Sequence, residues 1–255
     1  MKKMMKGLLV TLGVAMIMPA VAKAQDKFTV SAKADFVSDY VWRGQYQNSG
    51  FSIQPNLALS YKGITLSAWG SQSLTTSDGA QEFDINLSYG IKGFGIMVSD
   101  YWWNGVRAPY GYYKDGHHFE ATLSYNFKES CNLPLTLSWS TWFAGGDNNK
   151  VSDNGEVKRA YSTYINAFYD IACPYDITLT PSIGFTPWEG VYYKRAAITD
   201  ISLKATKAIN VTDSFSIPLF VQAIVAPNDP GHAAANEDGK VIDKTYLIAG
   251  FSIGF

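Results

Sequence analysis

The chain has 255 residues, a formal net charge of −1, 47% hydrophobic and 15% aromatic residues, and only 17% charged ones. Four of the 21 basic residues and none of the 22 acidic ones fall in the first 24 positions. The remainder therefore carries a net charge of about −5, which argues against a nucleic-acid partner.

Met1 to Lys6 carry three lysines, Gly7 to Ala20 are apolar apart from Thr11, and Ala22-Lys23-Ala24 precedes Gln25 as a small-x-small site. This pattern predicts a cleaved secretory signal peptide over residues 1–24, too short and wrongly flanked for a spanning helix. No cysteine follows the apolar run, so no lipoprotein anchor is expected. Residues 25–255 are expected to form one domain. No later stretch approaches the ~18 apolar residues of a transmembrane helix. An exported, aromatic-rich, charge-poor chain whose apolar residues are dispersed fits an outer-membrane β-barrel.

Twelve segments alternate apolar and polar residues with a period of two, the mark of a strand facing a different medium on each side. In the first, 27–37, Phe28, Val30, Ala32, Ala34 and Phe36 oppose Thr29, Ser31, Lys33 and Asp35. The second and third cover 51–61 and 64–71. In the fourth, 81–91, Phe83, Ile85, Leu87, Tyr89 and Ile91 oppose Glu82, Asp84, Asn86 and Ser88. The fifth, 94–102, is less regular. The sixth, 118–127, sets Phe119, Ala121, Leu123, Tyr125 and Phe127 against Glu120, Thr122, Ser124 and Asn126. The seventh to eleventh follow at 134–144, 161–171, 177–185, 196–206 and 214–225, and the twelfth, from 245, ends the chain. About ten residues at ~3.3 Å each, tilted by ~40°, cover the ~25 Å apolar band of such barrels.

Connections alternate in length. Tyr61-Lys62-Gly63-Ile64 and Ile91-Lys92-Gly93-Phe94 read as tight hairpins, because glycine accepts positive φ. Between the short turns lie loops near 38–50, 72–80, 103–117, 145–160, 186–195 and 226–244. The expected fold is therefore all-β: a transmembrane, antiparallel, up-and-down β-barrel of twelve strands. Pro55, Pro181 and Pro218 fall inside proposed strands, where proline removes a ladder hydrogen bond. Bulges are one way to absorb them, and ten or fourteen strands are the alternatives.

The last residues, Thr245 to Phe255, resemble the C-terminal signal of bacterial outer-membrane barrels, with Gly250, Ile253 and Phe255 where that signal has glycine, hydrophobe and aromatic. Ser38-Asp-Tyr-Val-Trp-Arg-Gly44 and Ala68-Trp-Gly-Ser71 resemble motifs of the TorF family of outer-membrane porins, most clearly over residues 30–90. That resemblance implies a barrel porin and brings no catalytic residue and no cofactor.

The lumen candidates are Lys33, Asp35, Arg43, Glu82, Asp84, Glu120, Lys204 and Lys244, because charges inside a pore tune which ions pass. An internal salt-bridge network is the competing role for them. Cys131 and Cys173 lie in short turns expected to be neighbours, and an oxidising periplasm makes them a disulfide pair. Two cysteines do not make a zinc site, and no metal site is expected. Tyr40, Trp42, Phe36, Tyr61, Tyr89, Tyr125, Phe127 and Tyr161 are assigned to interfacial girdles. The aromatic stretch from Trp102 to Tyr113 is assigned to loop packing and girdle contacts. The loop 145–158 carries Asp147, Asp153 and Glu156 without the spacing of a calcium loop, and its glycines and asparagines read as turn chemistry.

Function is expected to be a porin-like channel for an unidentified small solute, with a narrow lumen of small polar residues. The expected partners are outer-membrane lipid, lipopolysaccharide and the barrel-insertion machinery. The alternatives are a plugged structural or adhesion barrel with working loops, and a lipid-modifying enzyme. The enzyme needs a base from His117, His118 or His232 and a nucleophile motif that the chain lacks.

Overall fold

The computed structural model describes residues 27–48, 50–76, 81–103, 109–147, 150–152, 154–212, 215–228 and 245–254. The expected signal peptide, Lys244, His232 and Phe255 lie outside these residues.

The strands are β1 (Thr29–Val37), β2 (Ser52–Tyr61), β3 (Ile64–Ser73), β4 (Glu82–Ile91), β5 (Phe94–Trp103) and β6 (His117–Asn126). They continue with β7 (Leu135–Gly145), β8 (Thr163–Tyr169, resumed at Ile171–Cys173), β9 (Ile177–Thr186), β10 (Ala197–Asn210), β11 (Ser216–Val225) and β12 (Thr245–Gly254). Each pairs antiparallel with its neighbours in sequence, and β1 pairs with β12 with Phe36 opposite Phe251. The sheet is a closed, up-and-down barrel of twelve strands. Closure leaves no unpaired edge, which hydrocarbon would not tolerate.

The period of two dictates which way each side chain points. In β4, Glu82, Asp84, Asn86 and Ser88 face inward and are at most 5% exposed, while Phe83, Leu87, Tyr89 and Ile91 stand exposed outside. Leu57, Leu66, Ile96, Leu123, Ile201 and Leu219 continue the outer apolar surface around the wall. A belt of this kind is stable against acyl chains and unstable in water. Phe36, Tyr61, Tyr89, Tyr125 and Tyr161 lie on this outer side; Phe28 stacks on Tyr61 at 4.4 Å, and Phe36 on Phe251 at 4.8 Å.

The two Lys-Gly hairpins have the expected backbone. Lys62 and Gly63 take φ of 49° and 85°, and Lys92 and Gly93 take 48° and 84°. Two consecutive left-handed residues make the turn whose twist matches that of the flanking strands. The other connections at this end are the short helix Lys128–Cys131, the 3₁₀ turn Pro174–Asp176 and the link after Asn210.

The prolines are accommodated in register, without bulges at their positions. Pro55 stays in register with Ala34 of β1, and the β2–β3 pairing is interrupted at Gln54 and Pro55. A strand residue sends its N–H to one neighbour only, so proline disturbs one ladder and leaves the other intact. Pro181 opposite Leu203 and Pro218 opposite Ala208 lie in unbroken registers. The register shifts of the barrel fall elsewhere, at Phe119/Glu120 and Gly184/Phe185.

Candidate functional site

At the end of the long loops the lumen is filled by a hairpin. After β1 the chain turns inward and forms Tyr40–Trp42 paired with Gln45–Asn48. Its turn is Arg43-Gly44, with φ of 52° and 79°. Its tip reaches the far wall: a Cβ on Gly44 would lie 2.7 Å from the Thr199 carbonyl oxygen and 3.3 Å from Ala226 Cβ. Residues with apolar side chains on both faces of a short strand are stable only when both faces are covered. Tyr40 and Trp42 pack into an aromatic cluster with Trp69, Tyr101, Trp142, Tyr164 and Tyr192. Val41 packs on the other side against Val37, Phe220, Ile224 and Ile248, and Tyr46 stacks on Tyr246 at 5.4 Å. Tyr40 and Trp42, expected in a girdle, are therefore interior residues, 4% and 5% exposed.

Arg43 sits at the centre of this packing. Its Nη1 and Nη2 donate to Oε2 and Oε1 of Glu120 at 2.6 and 2.8 Å. Nη1 also donates to the Tyr192 hydroxyl. The Tyr101 hydroxyl donates to Glu120 Oε1 at 2.9 Å. The guanidinium carbon lies 4.4, 4.7 and 5.5 Å from the ring centroids of Trp42, Tyr164 and Tyr192. Both charged side chains are all but excluded from water, at 3% and 0% exposure. The bidentate geometry offsets the burial of the two charges, while Arg43 Nε is buried without a hydrogen-bond partner among the described residues.

The other sequence-derived lumen residues are distributed along the inner wall. Lys33 and Asp35 pair at 2.8 Å on β1, and the Ser252 hydroxyl also donates to Asp35. Lys204 is buried on β10 with Nζ 4.1 Å from the Phe220 ring centroid. Glu82 and Asp84 are buried on β4, and neither Glu82 Oε2 nor Asp84 Oδ1 accepts a hydrogen bond. Asp200, which the sequence pattern does not single out, is inward on β10 and accepts from the Tyr164 hydroxyl at 3.0 Å. Toward the short turns the inner wall carries short polar side chains, including Ser67, Ser88, Ser124, Thr136, Ser138 and Ser182. Several bond across strands, as Thr122 with Ser140 and Ser182 with Ser202, each at 2.8 Å.

A second loop closes over the hairpin. Tyr192 is fully buried, and Val191 accepts from Gln45 Nε2 at 2.9 Å. Asp147 is fully buried and accepts from Ser162 N and Oγ at 2.9 and 2.6 Å. Ser162 Oγ in turn accepts from Val191 N at 2.8 Å, joining the two loops.

Tyr110 and Tyr113 fold onto the outer wall. Tyr110 packs edge-on against Phe83 and Trp102, and Tyr113 stacks on His117 with centroids 3.9 Å apart. The pKa of the Tyr110 hydroxyl is pushed up to about 12, first by its hydrogen bond with Tyr113 and then by burial. His117 is fully buried beneath them, with Nδ1 2.7 Å from Asp100 Oδ1 and Nε2 2.6 Å from the Tyr110 carbonyl. Both ring nitrogens are engaged, which leaves no lone pair facing a nucleophile. His118 points inward, between Trp103 and Trp142.

Cys131 and Cys173, expected to pair, are not bonded to each other in this structure. Each sulfur instead contacts a carbonyl of its own turn, Phe127 O at 3.4 Å and Ile171 O at 3.8 Å.

Tyr101, Trp142 and Tyr164 complete the cage without being among the sequence candidates. Their positions in the alternation of β5, β7 and β8 assign all three inward, so the signal is present in the sequence. Tyr192 lies in a loop with no periodicity, which carries no such signal.

No family model matches the chain, and no curated protein matches it. Among solved structures it is similar to one described as a NanC porin structure in rhombohedral crystal form, at 9% identity and a TM-score of 0.47, covering 89% of this chain and 98% of that one.

Proposed function

We propose that this protein is a porin-type channel of the bacterial outer membrane that passes small solutes and rests in a state closed by its own hairpin. The observation that carries the reading is the contrast between wall and plug. The inner wall is polar toward the short turns, where an obligatory core would be apolar. The obstruction is a short excursion from one loop, Tyr40 to Asn48, held by the Arg43–Glu120 pair and by packing on its two faces. Such an element has two arrangements, one in the lumen and one outside it. With the hairpin and its Arg43 out of the lumen, the inward carboxylates Asp35, Glu82, Asp84, Glu120 and Asp200 outweigh Lys33 and Lys204 among the described residues, so the open channel favours cations.

The plugged structural barrel is the second reading, favoured by the coverage of the hairpin on both faces. Planar-bilayer recordings separate the two. The parent protein should give brief, infrequent steps, and a variant with residues 40–48 replaced by a short glycine-serine link should conduct steadily, with a cation preference. A variant that migrates as a folded barrel and never conducts would overturn the channel reading.

A further inference from the structure

The cage around Arg43 belongs to the barrel, and its occupant does not. Glu120 and Tyr101 project from β6 and β5, Tyr164 from β8, and Tyr192 from the loop that leads into β10. The guanidinium, with the Trp42 ring over it, arrives on the hairpin, which also brings the Tyr40 hydroxyl to Glu82. A carboxylate presenting both oxygens to a planar cation, flanked by hydroxyls and ring faces, is the chemistry that recognises guanidinium groups.

A second observation lies one strand away. Glu82 and Asp84 occupy successive inward positions of β4, separated from β6 by β5 alone, or about 10 Å at normal strand spacing. Both are 5% exposed, Glu82 Oε2 and Asp84 Oδ1 accept no hydrogen bond, and neither residue forms an ion pair among the described residues. Two adjacent carboxylates buried without an ion-pair partner are costly. A cation bound there removes that cost.

We propose that this lumen site binds a small organic cation carrying a guanidinium group at Glu120 and a second ammonium or guanidinium group toward Glu82 and Asp84, and that Arg43 is its tethered stand-in. This deepens the channel reading and rests on it only for the consequence that such a solute displaces the hairpin. A tethered group has an effective concentration of millimolar or more. A free ligand therefore binds the parent protein weakly and binds well once the tethered group is removed.

The test uses the full chain refolded in lipid, with agmatine and methylguanidinium as probes and L-glutamate as the anionic control. Binding is followed by calorimetry and by tryptophan emission, which reports on Trp42 and Trp142. Arg43→Ala should bind agmatine saturably, at least tenfold more tightly than the parent, and agmatine more tightly than methylguanidinium. Adding Glu120→Gln to Arg43→Ala should abolish binding. Equal affinity in Arg43→Ala with and without Glu120→Gln, or a preference for L-glutamate, overturns the proposal. Should Arg43→Ala fail to fold, the parent decides: agmatine must raise its open fraction and L-glutamate must not, and the reverse overturns it. Saturable binding in a barrel that never conducts sustains the site and removes the channel reading. Conductance without binding does the opposite.

Discussion

Replacing Glu120 with glutamine tests the anchor of the hairpin most directly. The substitution keeps the shape of the side chain and removes its charge, leaving the Arg43 guanidinium buried beside an amide. Both side chains are shielded from water, at 3% and 0% exposure, so solvent screens the loss little. Removing one partner of a buried ion pair costs about 3–5 kcal/mol. At about 1.36 kcal/mol per factor of ten, the closed-to-open ratio should fall roughly 10²- to 10⁴-fold. The ring contacts of Arg43 and the packing of Trp42 and Val41 remain, so the hairpin should still visit the lumen. The assay is the open fraction in single-channel recordings at fixed salt. Asp35→Asn is the comparison: its partner Lys33 is 36% exposed, and a pair that accessible contributes about 0–1 kcal/mol. That variant should shift the ratio less than tenfold. A folded Glu120→Gln barrel with the open fraction of the parent would refute the idea that this pair holds the plug.

Gly44→Ala should also release the hairpin, because φ of 79° disfavours a side chain and the added Cβ meets the Thr199 carbonyl at 2.7 Å; Gly111→Ala, with nothing within 4 Å, should leave the open fraction unchanged. If both raise it equally, the close approach is not what matters. Cys131 is exposed and Cys173 half-buried, so maleimide should label both in unreduced protein, Cys131 faster; a mass showing no label and two missing hydrogens would mean the thiols pair. His117→Leu strips Asp100 of its hydrogen-bonded neighbour at the outer wall and should lower barrel stability by about 1–3 kcal/mol, read as an earlier urea midpoint in vesicles. An unchanged midpoint would show that the pair is incidental.

Much of the barrel is legible in the sequence. Alternation along residues such as Glu82 to Ile91 depends only on the sheet pleat and on the two media it separates, so it marks the strands and their facing. Observed boundaries lie within two residues of those expected, except for β10, which runs on to Asn210. Lys62-Gly63 and Lys92-Gly93 announce their turns because left-handed φ is a local demand. The prolines constrain the barrel less than their positions suggest, since a strand can lose one ladder bond and keep its register on the other side.

What the sequence determines by itself is local: which residues are strand, which face lipid, and which face the lumen. The tertiary structure decides what meets inside. Arg43 lies 77 residues from Glu120 and 149 from Tyr192, and only barrel closure brings β5, β6 and β8 around one point. The hairpin carries a trace of its fate in Tyr40-Val41-Trp42, apolar on both faces. Which walls cover those faces depends on strand tilt and barrel width, which no period along the chain records.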